Sequence, residues 1–503
     1  MASIPATALI DALVDEGTFS AWTPSDLQIR DDFAPDADDY SRQLQTARAE
    51  TGRSESVVVG EARIGGIRTA VIVGDFDFLA GSVGRQTCQI VIAALERARE
   101  LRLPTFASPS SGGTRMQEGT RAFVLMADVA ASVHRFRSAG NLMIVWLRNP
   151  TTGGVMATWG SLGSVTLGEP GALVGFLGPR VFEMLSGDQF PPGVQTTENL
   201  ATHGIIDAVV PLERLRTEVG AVLDVACGVA ATPVATQFDT ADAATGTPDP
   251  WDCVTKTRNP DRPTSGALLA QNATSLTRLS GTGAGERGDA IALCLGKWRG
   301  INAVIVAQDR AAQSSGDALG PAALRTARRG FRLAAELGLP LVTVVDTAGA
   351  ELSVAAEEGA LAGEIARCLA ELATLDVPTV SVLLGMGCGG GALSLLPTDR
   401  VVAAENAWVA PLPLEGASII RYRTPERAAE MAREQKVAAW QLADAGIVDL
   451  VVAERPDAAD EPEDFLVRVG TAVESALAEL VAQDQGTRRA TRDRRYRGGL
   501  DGD

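Results

Sequence analysis

Two glycine-rich turns carry the residues of this chain best suited to bind an anionic oxygen. Residues 151–154 (TTGG) follow the apolar run at 143–147, and residues 388–392 (CGGGA) follow the apolar run at 380–384. Glycine after a buried strand lets the backbone turn sharply and lets a ligand lie against backbone N–H groups. The same glycines also suit a helix that packs closely on a strand. Each turn therefore predicts a place that stabilises negative charge, with packing as the alternative.

Two further turns also carry groups that bind anions. In residues 110–119 (SSGGTRMQEG), a Ser/Gly turn opens a predicted helix beside Arg115. Free N–H groups and the positive end of the helix dipole suit a phosphate or carbonyl oxygen there. An ordinary helix start capped by Ser111 or Thr114 explains the same residues. A Gly/Pro turn at 175–180 (GFLGPR) brings a second arginine, and its alternative is a plain loop.

Other catalytic chemistries lack their signatures. The two histidines, His134 and His203, are far apart, and the six cysteines form no C-x-x-C pair, so no metal site is predicted. No nucleophile elbow or phosphate-binding P-loop occurs. Matches to G-x-G-x-x-G at 283–288 and 385–390 lack the context of a dinucleotide site. These absences disfavour a hydrolase triad, an ATPase and a dinucleotide enzyme.

Composition indicates a large folded protein. The chain has 503 residues, of which 46% are hydrophobic and 21% charged, enough for two domains of roughly 200 residues each. The formal charge of −18 argues against nucleic-acid binding. No signal-like amino terminus appears, and no apolar stretch reaches the about 18 residues of a membrane span. We expect a soluble cytoplasmic protein without a membrane or nucleic-acid partner.

The elements that must position these turns recur in two halves. A strand-like run at 69–73 leads to a helix, a Leu-Pro pair, a short strand, a glycine turn, a helix and the TTGG turn. The run at 303–307 starts the same order, which ends at the CGGGA turn. Strands that alternate with helices predict largely parallel sheets. The chain is therefore an α/β protein with two similar domains.

Domain bounds follow from the repeat and from composition. We place the amino-terminal domain at residues 1–227 and a linker rich in Ala, Thr, Pro and Asp at 228–261. The carboxy-terminal domain covers 262–455. Residues 456–503 contain a last helix and an arginine-rich tail, which we expect to be solvated and disordered.

The ordered motifs resemble the acetyl-CoA carboxylase carboxyltransferase, with its β half in the first domain and its α half in the second. The β-like segments are 75–84, 111–119, 150–154 and 169–180. The α-like segments are 285–291, 339–340, 346–350, 389–393 and 411–418.

The resemblance implies a fold, a reaction and roles for residues. Each domain is expected to be a crotonase-like ββα spiral. The expected reaction moves CO2 from N1′ of carboxybiotin to the α-carbon of a short acyl-CoA, as from acetyl-CoA to malonyl-CoA in fatty acid biosynthesis. Gly153 and Gly154 would hold the enolate oxygen, and Gly391 and Ala392, with Gly390, the biotin carbonyl. The residues expected to bind the substrate are Ser111, Gly112, Gly113, Arg115, Gly178 and Arg180.

The resemblance also implies partners. The chain has no Met-Lys-Met biotinylation site, so the biotin carboxyl carrier protein and the biotin carboxylase are expected on other chains. The expected homo-oligomer is a hexamer built from dimers, with each active site between the amino-terminal domain of one subunit and the carboxy-terminal domain of another. No metal is expected. Two alternatives stay open: a malonyl- or methylmalonyl-CoA decarboxylase, and a non-catalytic carboxylase paralogue.

Overall fold

Two compact units make up the chain. The computed structural model describes residues 3–29, 38–228, 238–239 and 242–497. Unit 1 is Met1–Gly228 with Gly283–Gly285, and unit 2 is Val229–Thr282 with Glu286–Asp503. Part of the predicted linker lies outside the described residues, and part of it forms the helix Pro250–Thr257. No helix within the described ranges has the length and apolar character needed to cross a membrane.

The sheet of unit 1 runs in the order β1-β2-β3-β4-β5-β7-β9, with β6 paired to β8 apart from it. The pairs β1/β2 and β2/β3 are antiparallel, and the pairs from β3 to β9 are parallel. The strands are β1 (Ser20–Ala21), β2 (Val57–Ile64), β3 (Ile67–Gly74), β4 (Thr105–Ser108), β5 (Met143–Leu147), β6 (Thr151–Thr152), β7 (Val165–Gly168), β8 (Val174–Gly175) and β9 (Ala208–Val209).

Helices flank this sheet because its central strands are apolar on both faces. Every residue of β4 and β5 is buried, which is the pattern of parallel strands covered on two sides. The helices are α1 (Ala6–Leu13), α2 (Asp38–Thr51), α3 (Arg85–Glu100), α4 (Gly119–Ser138), α5 (Pro179–Ser186), α6 (Thr197–Thr202) and α7 (Leu212–Cys227), with short 3₁₀ or π turns at Leu79–Gly81, Met116–Glu118 and Met156–Gly160.

Unit 2 repeats this topology. Its sheet runs β10-β11-β12-β13-β14-β15-β17, with β16 also paired to β14. The pairs β10/β11 and β11/β12 are antiparallel and the others parallel. The strands are β10 (Ala273–Leu279), β11 (Ile291–Trp298), β12 (Ile301–Gln308), β13 (Leu341–Thr347), β14 (Thr379–Cys388), β15 (Arg400–Ala404), β16 (Trp408–Ala410) and β17 (Leu450–Val452).

Among the described residues, unit 2 has more helices than unit 1. The helical segment between β13 and β14 is divided into two helices at Ala360, whose φ of +65° is left-handed. The helices are α8 (Pro250–Thr257), α9 (Ser265–Asn272), α10 (Arg310–Ser314), α11 (Pro321–Leu337), α12 (Val354–Glu358), α13 (Leu361–Ala373), α14 (Gly389–Leu393), α15 (Leu414–Tyr422), α16 (Ala428–Glu434), α17 (Ala439–Asp444), α18 (Pro462–Ala482) and α19 (Gln485–Arg497), with a 3₁₀ turn at Pro425–Arg427.

The α/β class and the internal repeat predicted from the sequence are confirmed. The expectation of a disordered arginine-rich tail was wrong for residues 485–497, which form α19. Arg488 and Arg492 of this helix are buried. Arg492 lies 2.8 Å from the buried carboxylate of Asp399, and backbone carbonyls accept from both arginines. Residues 485–497 form a helix because their buried arginines bind carboxylate and carbonyl oxygens of unit 2. Residues 498–503 lie outside the described part of the chain.

Candidate active site

In unit 1 the two predicted turns lie side by side at the carboxyl ends of β4 and β5. The Ser111 N–H donates to the Pro150 carbonyl at 2.7 Å, and the Thr152 N–H donates to the Ser111 carbonyl at 3.0 Å. A Cβ built on Gly153 would lie 3.1 Å from the Cα of Gly113. Because the carboxyl ends of neighbouring parallel strands share one edge of a sheet, the fold brings these turns together.

Most polar groups of the first turn are used to build it. The Gly113 N–H donates to Ser111 Oγ at 3.0 Å, and the Gly112 N–H donates to the Ala80 carbonyl at 3.0 Å. Gly113 has a φ of +117°, which favours glycine. Ser111, Gly112 and Gly113 were predicted to bind substrate. The structure assigns the two amides and the hydroxyl to the turn itself.

The prediction that Arg115 offers its charge to a ligand is corrected. Its side chain is fully buried and lies 2.8 Å from Glu55 and 3.5 Å from Glu118. It also donates to the Ser82 carbonyl at 2.8 Å. The sequence placed this arginine beside the turn, but the side chain points into unit 1, where it ties the turn to Glu55, just before β2, and to Ser82, just before α3. A sequence gives no sign of which way such a side chain points.

The second turn of unit 1 leaves one glycine amide without an acceptor. The Gly153 N–H donates to the Phe176 carbonyl at 2.8 Å, and the Gly153 carbonyl accepts from Ala157, which starts a helical turn. No described residue accepts from the half-buried Gly154 N–H. The first N–H groups of a helical turn have no partner within it. Of the two predicted donors, Gly154 is the one whose N–H is available.

Unit 2 builds its first turn in the same way. The Gly349 N–H donates to Thr347 Oγ1 at 3.1 Å, as Gly113 does to Ser111. Gly349 has a φ of +137°. A Cβ on Gly391 would lie 3.1 Å from the Ala350 nitrogen, so the second turn again packs on the first. A hydroxyl that caps the glycine two residues later is therefore a feature of both units.

The sheet register shows which glycines correspond. Ser111 forms a parallel bridge with Thr151, and Thr347 pairs with Gly387 in the equivalent place. Counting on from these pairs, Gly153 corresponds to Gly389, and their φ angles are +65° and +63°. The equivalent of Gly154 is then Gly390.

Helix α14 decides which amides of the second turn are free. In a helix that begins at Gly389, the N–H groups of Gly389, Gly390 and Gly391 have no intrahelical acceptor. The N–H of Ala392 is the first that reaches back to a helical carbonyl, that of Cys388. Ala392 is fully buried. The geometry therefore favours Gly390 and Gly391 over Ala392 as donors to a ligand.

A buried arginine that the sequence did not reveal supports the turns of unit 1. Arg148 follows β5, is fully buried, and donates to Ser108 Oγ at 2.9 Å and to the Ile4 carbonyl at 2.6 Å. It also donates to the Gly74 and Ser108 carbonyls. No carboxylate of the described residues lies within ion-pair distance of Arg148. Burial lowers its pKa to about 10, so it remains a cation at neutral pH.

In unit 2 a glutamine side chain stabilises the turns. Gln308, at the end of β12, donates to the Gly391 carbonyl at 2.8 Å and accepts from the Asp346 N–H at 3.0 Å. It thereby joins the two turns directly. Asp346 is buried, 3.4 Å from Arg310. Burial raises the pKa of this carboxyl, although the Arg310 charge opposes the shift.

A buried ion pair contacts the middle of β14. Arg262 lies 2.6 Å from Glu454 and donates to the Leu384 carbonyl at 3.3 Å. Glu454 also accepts from the Asn406 side chain at 2.8 Å. Burial acts to raise the pKa of Glu454, but the Arg262 hydrogen bonds and charge outweigh it, and the pKa lies below its usual value. Nothing in the local sequence marks this pair, because its members are far apart in the chain.

The remaining predicted residues lie at the start of α5. Gly178 precedes the helix, and its carbonyl accepts from Phe182 at 3.2 Å. The side chain of Arg180 lies outside the described residues. His134 is exposed on α4, and His203 is exposed directly after α6. Among the described residues, no group of three or more metal-ligating side chains is found.

Comparison with known proteins identifies the family. The carboxyl transferase domain model matches residues 15–490. The chain belongs to the carboxyl transferase family. It is 50% identical over 501 residues, 99% of each chain, to the "Probable biotin-dependent acyl-coenzyme A carboxylase beta3 subunit" of Mycobacterium tuberculosis H37Rv. It is 34% identical, over 98% of this chain and 90% of the relative, to the acetyl-coenzyme A carboxylase carboxyl transferase subunits beta/alpha of Salinispora tropica.

Solved structures show the same fold for this carboxyltransferase. One is a transcarboxylase 12S hexamer with methylmalonyl-coenzyme A and methylmalonic acid bound. The match covers 95% of this chain and 90% of the transcarboxylase chain, with a TM-score of 0.75 and 18% identity. A single-chain, multi-domain long-chain acyl-CoA carboxylase matches 92% of the chain and 46% of its own, with a TM-score of 0.69 and 20% identity. The crotonase-like carboxyltransferase fold is confirmed, and the protein is the carboxyltransferase of a biotin-dependent acyl-CoA carboxylase.

Proposed function

We propose that the two glycine turns are the oxyanion sites of this carboxyltransferase. The Gly154 N–H would donate to the enolate oxygen of the acyl-CoA, and the N–H groups of Gly390 and Gly391 would donate to the ureido oxygen of biotin. The observation that carries the proposal is the free glycine amide at the carboxyl end of the matching strand in each unit. Gly153, Gly112 and Gly113 are then the frame that holds Gly154.

The chain's own part in the reaction is to bind, orient and stabilise. Carboxybiotin supplies the CO2 and, once that has left, a basic nitrogen for the α-proton of the substrate. A protein base is then unnecessary, in keeping with the exposure of both histidines on the surface of unit 1. Preorganised N–H donors aimed at a developing oxyanion are each worth about 2.7–4 kcal/mol of barrier. Two such sites and correct positioning supply a large share of the acceleration.

We propose acetyl-CoA as the first substrate to test, with malonyl-CoA as product and fatty acid biosynthesis as the setting. Support comes from the names of relatives such as that of Salinispora tropica. The relative at 50% identity is named only for acyl-CoA. The chain-length preference is therefore the part of the proposal that experiment must fix.

The proposed partners are a biotin carboxyl carrier protein, a biotin carboxylase and further copies of this chain in a dimer-built hexamer. Large apolar side chains stay exposed in both units, which supports a second copy of the chain as the partner that covers them. In unit 1 they include Phe176, Met184 and Leu185, and in unit 2 Leu352 and Ile420. Met184 and Leu352 are 87% and 93% exposed. Light scattering would test this, and a monomer in solution would contradict it.

The deciding experiment follows carboxyl transfer from malonyl-CoA or methylmalonyl-CoA to free biotin across acyl chain lengths. Biotin-dependent loss of the carboxyl group, fastest with the short chain, is the expected result. Release of CO2 without biotin would instead identify a decarboxylase. No reaction alone, together with co-purification with an active carboxyltransferase, would identify a non-catalytic paralogue.

A further inference from the structure

The arginine-rich helix α19 lies against the segment 394–399, which joins the glycine helix α14 to β15. Tyr496 Oη donates to the Leu396 carbonyl at 3.2 Å, and Arg495 reaches the Thr398 carbonyl at 3.5 Å. Arg492 pairs with Asp399 at 2.8 Å. Three successive contacts therefore fix the chain just after α14.

The Arg492–Asp399 pair also fixes the strand that leads into the glycine turn. Both side chains are about 2% exposed or less. Asp399 accepts through its other oxygen from the N–H of Thr379 at 2.9 Å and from its hydroxyl at 3.0 Å. Thr379 is the first residue of β14, and β14 ends at Cys388. A buried charge-assisted network of this kind is rigid when all its members are paired.

A third contact runs through α13. Arg492 Nη1 donates to the carbonyls of Leu372 and Ala373, at 3.0 and 3.2 Å. These belong to the last turn of α13, where carbonyls lack intrahelical donors. The same helix sets the position of Gly390, because a Cβ on Gly390 would lie 2.9 Å from Ile365 Cδ1. Arg492 thus touches the elements after and beside the glycine turn, and it reaches β14, before the turn, only through Asp399.

Another arginine of α19 provides a natural contrast. Arg488 is also buried, but it donates to the carbonyls of Leu480, Gln483 and Asp376. Its recorded contacts include no residue of α14, β14 or the segment 394–399. Loss of Arg488 should weaken the attachment of α19 without a direct effect on the glycine turn.

We propose that Arg492, with Asp399, is a positioning residue for the glycine turn at 389–391, so that the carboxy-terminal helix sets the geometry of the biotin-side oxyanion site. This deepens the proposed function, because it rests on the assignment of that turn to biotin. The role is indirect, since Arg492 contacts neither substrate.

The test compares Arg492→Met with Arg488→Met in the full-length protein. Hydrogen exchange is followed in the peptide that covers residues 386–396, and transfer is measured with biotin and acyl-CoA varied separately. For Arg492→Met we expect faster exchange in that peptide and a KM for biotin about tenfold higher, with the KM for acyl-CoA unchanged. Arg492→Lys, which keeps the charge, should recover part of the loss. Arg488→Met should lower the melting temperature but change neither peptide exchange nor the KM for biotin.

Equal changes in the two arginine variants, or equal changes in the KM of both substrates, would overturn the proposal. If Arg492→Met does not fold, Arg495→Gln and Tyr496→Phe remove the neighbouring contacts more gently, and unchanged exchange and KM in both would also overturn it. Wild-type protein that transfers nothing to biotin would refute the proposed function instead. The exchange experiment would still decide the positioning role in that case.

Discussion

The glycine turns of the two units have the same backbone conformation, but different buried side chains stabilise them. In each unit a hydroxyl caps a glycine two residues on, and a glycine with left-handed φ leads into a helical turn. Beneath the unit 1 turn lies Arg148, a buried cation bound by carbonyls and a hydroxyl. Beneath the unit 2 turn lies the neutral amide of Gln308, and the nearby cation Arg262 is paired with Glu454.

This difference shows that the glycine positions are required in both turns, whereas the side chain that stabilises each turn can vary. The backbone shape needs glycine at fixed positions, because left-handed φ and close packing exclude side chains there. The stabilising side chain needs only hydrogen-bond donors that reach the backbone carbonyls at the ends of the strands. The supports also differ in charge. Arg148 is a buried cation without an ion-pair partner among the described residues, whereas the side-chain amide of Gln308 is neutral.

The largest expected effect is on the turn of unit 1. Gly154→Val should reduce carboxyl transfer by about 10²–10³-fold, because the side chain crowds the free N–H. A Cβ there would lie 3.2 Å from Thr114 Oγ1 and 3.5 Å from Met126, so the unit should still fold. Steady-state transfer kinetics and circular dichroism check this.

A matched control is Gly220→Ala in α7, where a Cβ meets nothing within 4 Å. It should keep full activity and gain up to about 1 kcal/mol of stability. Normal transfer by Gly154→Val would remove Gly154 from the site. Gly391→Val tests the second turn, but its Cβ would lie 2.8 Å from Leu319, so its folding must be checked first.

Replacement of Arg148 tests the support of unit 1. Arg148→Met should lower the free energy of unfolding by about 3 kcal/mol, because several buried carbonyls lose their donor. Chemical denaturation followed by fluorescence measures it. Arg63→Met, at an exposed arginine of the same unit, should change stability by less than about 0.5 kcal/mol. An equal loss in the free energy of unfolding in the two variants would show that the buried hydrogen bonds of Arg148 do not stabilise unit 1.

Acid tests the ion pair of unit 2. The pKa of Glu454 is lowered in the folded protein. Its contribution to the free energy of unfolding is therefore complete above the pKa of the unfolded chain, about 4.3. That contribution is lost as the pH falls through the lower pKa of the folded protein. Glu454→Gln should cost about 1.5–3 kcal/mol at neutral pH, and the difference from wild type should shrink on acidification. Urea unfolding from neutral pH to about pH 3 measures it. A pH-independent difference would contradict the assignment.

The smallest expected change in stability is at the neutral support. Gln308→Leu should cost about 1–2 kcal/mol, because Ser394 still donates to the Gly391 carbonyl at 2.7 Å. Loss of the link between Asp346 and Gly391 should still slow transfer by about tenfold. Kinetics with biotin varied should show the change, and an unaltered rate would mean that the turn holds its shape without the amide.

Much of the fold was predictable because its signals are local and repeated. Apolar runs, Leu-Pro pairs and glycine turns in one order predicted the repeat, and the strands at β5 and β14 lie close to the runs read from sequence. The glycine turns were found because left-handed φ leaves a mark in residue type. The helix at 485–497 was missed because its arginines look solvated until a buried acceptor such as Asp399 is known.

The sequence by itself determined the repeat, the family and the glycines on which the turns depend, since these follow from periodicity, order and backbone restriction. Only the tertiary structure decided which N–H groups stay free. Gly153 and Gly154 are adjacent glycines, yet one donates to Phe176 and the other to no described residue. Arg115 and Arg148 are both arginines near a turn, and both prove to be buried supports. Hydrogen-bond partners and side-chain direction depend on contacts between distant segments, which no local pattern records.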